Sequence, residues 1–268
     1  MGALDGRVAL VTGAGRLRGI GRATAVALAE MGADVVVTGT GRDPTTFPED
    51  EKQVGWRDIE STAEQIRTHG RRALTWVGDV SRAEAVRSLV DLIMQTFGRV
   101  DVLVNNAAYP RGNDRVAVPD LDEAIWRKVL DIKLTGAFLL CQRVVPIMIH
   151  QRWGRIINLS SILGKRGAPD TAAYCTANFG IQGFTQALAM EVARHGITVN
   201  AVCPGAVDTA RMDVLGRGAV WQQQLAVIPM GRAASDEEVA GLIGFLCSPA
   251  AAYMTGQSIN IDGGVVMW

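Results

Sequence analysis

A glycine-rich segment near the start of the chain has the composition of a phosphate-binding turn. It reads TGAGRLRGIG over residues 12–21, after a short apolar run and before a helical pattern. Glycines let the backbone turn sharply and approach a diphosphate, and the helix that follows offers free N–H groups and a positive dipole end. Any tight strand-to-helix turn can use glycine, but this position between strand and helix favours dinucleotide binding. The spacing is not the standard Gly-x-Gly-x-x-Gly, whose last glycine would fall at Arg18.

The elements that must position this turn follow an α/β pattern. Short β-branched runs alternate with longer segments whose apolar residues recur at helical spacing. Strands that are apolar on both faces and alternate with helices indicate a parallel sheet covered on both sides, and right-handed crossovers make it doubly wound, or Rossmann-type. Seven strands are predicted, at 8–12, 35–39, 73–77, 102–105, 155–159, 198–202 and 258–261; the clearest helices lie at 20–31, 84–97 and 172–194.

Composition excludes several classes of function. Lys+Arg and Asp+Glu are both 27, so there is no basic excess for nucleic acid or an anionic membrane surface. The four cysteines form neither a CxxC pair nor a Cys/His cluster, which predicts reduced thiols and no metal site. No signal peptide and no uncharged apolar run of about 18 residues is seen, so we expect a cytoplasmic protein without a membrane span.

No linker or internal repeat divides the 268 residues. We therefore predict a single Rossmann-type domain over 1–268, with a cofactor half at about 1–150 and a catalytic and substrate half at about 151–268. One polar stretch, residues 40–57, interrupts the alternation with two prolines and is long for a βα loop. Such a loop either contacts the cofactor or a neighbouring subunit, or is simply mobile.

Further motifs, in order along almost the whole chain, resemble the short-chain dehydrogenase/reductase family. That family has Thr-Gly-x-x-x-Gly-x-Gly in the phosphate loop; here two extra residues give a spacing more like the enoyl-thioester reductase branch. NNAA at 105–108 resembles the family's Asn-Asn-Ala-Gly, and Gly256 with DGG at 262–264 resembles its C-terminal turn. The resemblance implies an NAD(P)-dependent oxidoreductase. The cofactor contacts it implies are Gly13, Gly19, Ile20, Gly21, Asp79, Val80, Asn106, Ala107, Pro204, Gly205, Val207 and Thr209.

The resemblance also implies a pair of catalytic residues. Interconverting an alcohol and a ketone needs hydride transfer, which the cofactor supplies, and proton transfer at the oxygen. The family uses a helical tyrosine 13 residues after a serine; Ser161 and Tyr174 have that spacing here. Tyr174 would be the general acid/base and Ser161 would hydrogen-bond the substrate oxygen. The alternatives are a loop-capping serine and an ordinary core tyrosine.

Two other family positions carry exchanged residues. Tyr-x-x-x-Lys reads Tyr174 to Asn178, and Val-Asn-Leu-x-Gly reads IKLTG at 132–136, with Lys133 at the asparagine position. We hypothesise that Lys133 performs the missing lysine's electrostatic role, while Asn178 keeps a hydrogen bond to the ribose or to a water. An ammonium about 4 Å from the tyrosine oxygen would favour phenolate by about 4 kcal/mol at an effective dielectric near 20. Otherwise Lys133 faces solvent and another base, such as Lys165, is needed.

The choice of dinucleotide depends on the end of the second strand. A carboxylate there would bind the adenosine ribose and repel a 2′-phosphate, but the position holds Gly39. Arg18, Thr40 and Arg42 could instead receive the phosphate, since a guanidinium binds phosphate oxygens with two donors. NADP(H) is therefore predicted over NAD(H). The alternative is that both arginines are solvated surface charges.

The predicted function is that of an alcohol dehydrogenase or carbonyl reductase. A rival is a catalytically weak dinucleotide-binding sensor or partner subunit, favoured by the missing lysine at 178. Enoyl reduction is suggested only by the glycine spacing, since its Tyr-x6-Lys pattern would require lysine where Ile181 stands. An engineered loss at Asn178 would leave Lys133 unexplained.

Substrate and assembly are predicted from apolar segments. By resemblance a lid covers the substrate at about 208–232, and its apolar residues between 210 and 230 suggest an apolar or aromatic carbonyl compound, unless they pack on a neighbouring subunit. Tyr109 to Arg111 would also line the site. The resemblance implies a homotetramer formed through 120–148 and 172–194. The apolar end of the chain, VVMW at 265–268, would join that interface or pack on its own subunit.

Overall fold

A computed structural model describes residues 2–268 and contains the predicted parallel sheet. Its seven strands lie in the order β3-β2-β1-β4-β5-β6-β7, and every neighbouring pair is parallel. All seven predicted strands are confirmed. Their bounds are β1 Val8–Val11, β2 Asp34–Gly39, β3 Ala73–Val77, β4 Val102–Asn105, β5 Gly154–Leu159, β6 Ile197–Pro204 and β7 Ser258–Ile261.

Nine α-helices in the described chain connect and cover these strands. They are α1 Ile20–Glu30, α2 Glu49–Gln53, α3 Ile59–Thr68, α4 Ala83–Phe97, α5 Glu123–Leu130, α6 Gly136–Gln151, α7 Ala172–Val192, α8 Ala219–Ala226 and α9 Asp236–Cys247. Apolar side chains of α1, α3 and α9 pack on one face of the sheet, and those of α4, α6 and α7 pack on the other. Strands β1, β4, β5 and β6 are buried along their whole length, as expected for a sheet covered on both sides.

A single turn of π-helix, Asp131–Thr135, joins α5 to α6. Such wide turns are frequent at functional sites, and this one contains the buried Lys133. The combined helix Glu123–Gln151 is long and apolar enough to cross a membrane, with a mean hydropathy of 1.5 over its most apolar 18 residues. Of that stretch, 39% is buried inside the protein, where apolar side chains of α6 pack on the sheet.

The strand order fixes where a ligand can bind. The chain runs outwards from β1 to β3 and then returns to β4 on the other side of β1. At such a reversal the loops after the two central strands diverge, and a crevice opens at the carboxyl edge of the sheet. The glycine-rich turn follows β1 and the NNAA segment follows β4, so both lie at this crevice.

Candidate active site

A cleft of about 340 Å³ lies at the carboxyl edge of the sheet. It brings together residues from the glycine turn, from the ends of β4, β5 and β6, from the π-turn, from the start of α7 and from the predicted lid. Its lining includes Ile20, Asn106, Lys133, Ser160, Ser161, Tyr174, Pro204, Gly205, Val207, Thr209, Arg211 and Ile228. Residues far apart in sequence, but predicted to act together, therefore share one cavity.

The glycine turn is fixed to the end of β4. The Thr12 hydroxyl accepts the N–H groups of Asn106 and Ala107, and the Asn106 side chain donates to the carbonyls of Thr12 and Gly13. Gly13 has a φ of +68°, and a Cβ on Gly21 would lie 2.5 Å from both the Asn106 amide and the Gly13 carbonyl. Only glycine fits these two positions, so the turn keeps the compact path that a dinucleotide diphosphate requires.

The other predicted cofactor contacts lie on both sides of this turn. Gly205 packs against Asp262, since an added Cβ would come within 2.8 Å of the Asp262 Cβ, so the loop after β6 also needs glycine. Asp79 is exposed and accepts hydrogen bonds from the backbone and hydroxyl of Ser81, which lower the pKa of its carboxyl although partial burial opposes them. Val80 beside it is buried. These positions suit a cofactor stretched across the crevice.

Ser161 and Tyr174 lie in the wall of the cleft, as the resemblance implied. Ser161 is buried, and its Oγ accepts the Leu163 N–H at the start of a short 3-10 turn. That cap uses a lone pair of the oxygen, so the hydroxyl hydrogen can still be donated to a substrate. Neighbouring Ser160 has a structural role: it donates to the Asn178 carbonyl and accepts from Gln182. Tyr174 is half-buried in the first turn of α7.

Lys133 points inwards rather than to solvent. It is buried, lines the same cleft as Tyr174, and has no hydrogen-bond or ion-pair partner among the described residues. Burial lowers the pKa of its amine from 10.5 to about 7, with further lowering by Arg211 and an opposing effect of Cys203. The amine can therefore gain or lose a proton near neutral pH.

Asn178 lies behind the wall of the cleft and does not line it. Its side-chain amide donates to the Tyr174 carbonyl at 2.8 Å, while its buried Oδ1 has no partner among the described residues. Lys165, considered above as another base, donates instead to the carbonyls of Ser258 and Trp268 and is likewise outside the cleft. The exchange hypothesis thus has one member in the cleft, Lys133, and one behind it.

The sequence analysis missed a group of arginines around Tyr174. The Arg115 guanidinium lies 3.8 Å from the centre of the tyrosine ring and that of Arg211 lies 5.5 Å away. Arg111, the one arginine of the group singled out from sequence, and Arg166 also line the cleft. The available signal was the RGNDR sequence at 111–115, directly after β4. Apolar side chains and several cations therefore share the wall of the cleft, so its lining does not by itself favour the apolar substrate that was expected from the lid.

The lid also departs from expectation. Of its apolar residues, Met212, Val227 and Ile228 line the cleft, whereas Trp221 is buried outside the cleft lining and Val214 and Val220 are exposed. At the end of the chain Val266 is buried within the subunit, while Met267 and Trp268 are exposed.

The assignment of Arg18 and Arg42 to a 2′-phosphate needs correction. Arg18 bonds to Asp50 and Asp213 and so ties residues 40–57 to the lid. Arg42 bonds to Glu51 at 2.8 Å and to Asp58 at 3.0 Å. Both guanidiniums already have carboxylate partners. Thr40, the third residue assigned to this phosphate, is exposed.

Residues 40–57 pack on the glycine turn of the same chain. Trp56 donates its indole N–H to the Gly15 carbonyl at 2.7 Å, and the buried Glu51 accepts the Leu17 N–H at 2.9 Å. Arg16 lies beside this cluster, half-buried and without a hydrogen-bond or ion-pair partner among the described residues. Burial and the neighbouring Arg42 lower the pKa of its guanidinium. Arg16 is thus an unpaired cation next to the phosphate loop that the sequence analysis did not select.

Comparisons with known proteins agree with this geometry over the whole chain. The family described as enoyl-(acyl carrier protein) reductase matches residues 13–266. A 3-oxoacyl-[acyl-carrier-protein] reductase of Synechocystis sp. is 40% identical and covers 100% of both chains. The FabG reductase of the same name from Pseudomonas aeruginosa is 39% identical over 98% of this chain and 99% of its own. A solved structure from Sinorhizobium meliloti 1021, described as a short-chain alcohol dehydrogenase, is 38% identical and superposes with a TM-score of 0.86, covering 98% of this chain and 97% of its own.

Proposed function

The chain belongs to the short-chain dehydrogenase/reductase family of oxidoreductases, and from that premise we propose that it interconverts a ketone or aldehyde and the corresponding alcohol with a nicotinamide dinucleotide. The observation that carries the proposal is that Ser161 and Tyr174 share a cleft with the glycine turn and the loop after β6. The family resemblance indicates hydride and proton transfer, and the shared cleft is where we expect both to occur.

The roles of the two residues follow from their groups. A bound nicotinamide supplies the hydride that reaches the carbonyl carbon. Ser161 donates its free hydroxyl hydrogen to the carbonyl oxygen and holds the substrate in place. Tyr174 donates the proton that the same oxygen takes up as the C–H bond forms, so the product is a neutral alcohol. In the reverse direction the tyrosine oxygen accepts that proton.

Lys133 is proposed as the cation that assists Tyr174, and Asn178 as a residue that positions α7 through its bond to the Tyr174 carbonyl. The burial of Lys133 beside the cleft supports the first role below about pH 7, where the amine still carries its proton, since an ammonium there acts in a poorly solvated place. Asn178 can still offer its unpartnered Oδ1 to a ribose or a water.

NADP(H) is proposed over NAD(H), but a different arginine is assigned to the 2′-phosphate. Arg16 is the arginine beside the glycine turn that has no carboxylate partner, so it is the better candidate for the 2′-phosphate than Arg18. Asp58 argues against a preference for NADP(H), because its carboxylate lies 3.5 Å from the position that a Cβ on Gly39 would occupy. A carboxylate at this end of the second strand would bind the ribose and repel a 2′-phosphate. Arg42 compensates that charge through its bond to Asp58.

Three alternatives remain distinct from this proposal. The curated relatives are named for 3-oxoacyl-[acyl-carrier-protein] reduction, which is the same carbonyl chemistry on a thioester substrate. Enoyl reduction is disfavoured because Ile181, the position that would need lysine, is buried and apolar. A sensor without catalysis would not require Ser161 and Tyr174 to line the same cleft.

The assay is oxidation of NADPH or NADH with a panel of ketones, diketones and 3-oxoacyl thioesters. Tyr174→Phe is expected to lower kcat by about 10²- to 10⁴-fold, since it removes the proton donor but keeps the ring. Tyr253→Phe is the matched control, because Tyr253 is fully exposed and outside the cleft. Turnover that is unaffected by Tyr174→Phe would refute the assignment, and cofactor binding without turnover of any carbonyl would favour the sensor.

We also propose a cytoplasmic homotetramer. Both α6 and α7 leave large apolar side chains exposed, among them Phe138, Phe179 and Met190, and this supports a subunit contact along the helices predicted for it. Met267 and Trp268 are also apolar and exposed, and a subunit contact could cover them as well.

A further inference from the structure

The cleft around Tyr174 is strongly cationic. Arginines 111, 115, 166 and 211 line it together with Lys133, and none of the lining residues in the described chain is acidic. An overall charge of zero therefore conceals a local excess at the site. The nearest recorded counter-charge is Asp114, which is buried under Arg115 and not in the wall.

Several of these guanidinium donors have no partner. In Arg115, Nε and Nη1 are buried without a hydrogen bond; Nη1 lies 3.2 Å from the Asp114 carboxylate, close enough for an ion pair but not aligned for a hydrogen bond. Arg211 donates from Nη1 to the Tyr109 carbonyl, while its Nη2 is buried and unpaired. Arg111 has neither a hydrogen-bond nor an ion-pair partner among the described residues.

Several arginines outside the cleft are paired instead, although Arg16 is not and the Nε of Arg155 is buried without a partner. Arg18, Arg42 and Arg99 each bind carboxylates directly. Buried donors without partners are costly, and clustered like charges add to the cost. Burial lowers the pKa of Arg111 and of Arg115, and the cation of Arg211 lowers both further. An anion that enters the cleft would supply the partners that these donors lack and would reduce the repulsion between the cations.

We propose that the substrate is an anionic carbonyl compound whose carboxylate or phosphate is bound by Arg111, Arg115 and Arg211. This rests on the proposed function and specifies its substrate class. A planar guanidinium donates two parallel hydrogen bonds to either group, and the stacking of Arg115 on Tyr174 sets the anion beside the proton donor. An uncharged acyl or aromatic carbonyl would leave the same donors unpaired.

The first test compares substrates in matched pairs. Acetoacetate is compared with methyl acetoacetate, levulinate with methyl levulinate, and dihydroxyacetone phosphate with dihydroxyacetone. The anion is expected to have a kcat/KM about 10- to 150-fold higher than its neutral partner in the carboxylate arms, the phosphate arm or both. Whichever arm shows the preference identifies the group. Equal kcat/KM within every pair would overturn the proposal.

The second test removes the cations one at a time. Arg111→Met is the cleanest change, because no protein group loses a partner, and it should abolish most of the preference by lowering kcat/KM for the anion more than for its neutral partner. Arg111→Lys should recover part of it. Arg87→Met is the control, since Arg87 is exposed on α4 and the net charge changes equally. If the preference for the anionic substrate survives in both Arg111→Met and Arg211→Met, these arginines do not bind the anion and the proposal is refuted.

Arg211 needs a separate comparison because a cofactor diphosphate is also anionic. Arg211→Met should raise the KM of the anionic substrate about 10-fold or more and leave the cofactor KM nearly unchanged. The opposite result, a raised cofactor KM with the substrate preference intact, would place Arg211 at the cofactor and contradict its assignment here.

A binding measurement separates this inference from the proposed function. Titration calorimetry of the cofactor-loaded protein with succinate, and with inorganic phosphate, should give binding that succinamide does not, and Arg111→Met should weaken it. If no carbonyl is turned over but this binding persists, the proposed function fails and the anion site stands. If ketones are reduced but neither anion binds, the inference fails alone.

Discussion

Replacing Lys133 with methionine is expected to stabilise the ligand-free protein while it impairs catalysis. Methionine has similar length and no charge, so it fills the same buried space beside the cleft. The stabilisation follows from the lowered pKa of the amine, because a lysine that loses its proton more easily in the folded protein destabilises the fold whenever it is charged.

The magnitude and the pH window follow from that pKa. A fall from 10.5 to about 7 corresponds to about 5 kcal/mol against the charged form, at about 1.4 kcal/mol for each pKa unit. Between about pH 7 and 10.5 the unfolded chain holds more protons than the folded one, so the free energy of unfolding rises with pH. Below about pH 7 both states are protonated and the full penalty applies; above about pH 10.5 it vanishes.

Urea unfolding of wild type and Lys133→Met between pH 6 and 11 measures this directly. The variant should be more stable by several kcal/mol at pH 6, with the difference declining as pH rises. Lys128→Met is the control, because Lys128 is exposed on the same helical run and should give a small, pH-independent difference. A pH-independent difference for Lys133→Met would show that its amine is solvated in the folded state.

The kinetic arm tests the exchange hypothesis. At or below about pH 7, where the Lys133 amine still carries its proton, Lys133→Met should lower kcat by about 10²-fold, and the loss should shrink at higher pH, where the wild type also lacks the cation. The reversed pair, Lys133→Asn with Asn178→Lys, should recover much of the activity lost by Lys133→Asn alone, a non-additivity expected of coupled positions. Wild-type kcat with an unchanged pH profile in Lys133→Met would end the hypothesis.

Three further predictions concern the cofactor, residues 40–57 and the assembly. Arg16→Ala should lower kcat/KM for NADPH about 10- to 150-fold more than for NADH, whereas Arg18→Ala should affect both cofactors alike. A wild-type preference for NADH would instead indicate that Asp58 binds the adenosine ribose. Glu51→Ala should cost about 1–3 kcal/mol in urea unfolding, because it removes one of the two carboxylates paired with the half-buried Arg42 and the acceptor of the Leu17 N–H. The exposed Glu49→Ala should change little, and equal values would mean that the Glu51 contacts are loose. Light scattering at micromolar concentration should give four subunits, and a monomer would exclude the tetramer.

The sequence predicted the sheet well because its signals are local. Each strand is a short apolar run bounded by turns, and the parallel order follows from the alternation with helices, so all seven strands were found. Gly13 and Gly21 were informative for the same reason: a positive φ or a close backbone approach leaves few alternatives to glycine. The burial of Lys133 was also predictable, from the apolar residues that surround it in sequence.

The charge pairing of the site could not be predicted in this way. Whether an arginine is free or neutralised depends on carboxylates far away in sequence: Arg18 meets Asp213 across 195 positions, and no local pattern records that contact. The cleft arginines 111 and 115 lie in an irregular loop and Arg211 lies in a short 3-10 helix, where hydrophobic spacing gives no direction to a side chain. Apolar residues in the predicted lid were conspicuous, and the cations beside them were not.

The two unusual features of the cleft, a buried lysine and unpaired arginines, are coupled through Arg211. Its charge helps to lower the pKa of the Lys133 amine, so Arg211→Met should raise that pKa and move the onset of the stability rise above pH 7. An anion bound by Arg211 would act in the same direction, because it compensates the charge that repels the ammonium. An anionic substrate would thereby favour the charged form of the lysine that is proposed to assist Tyr174. Unfolding curves for Arg211→Met that keep the wild-type pH dependence would show that burial alone sets the lysine pKa and that the two features are independent.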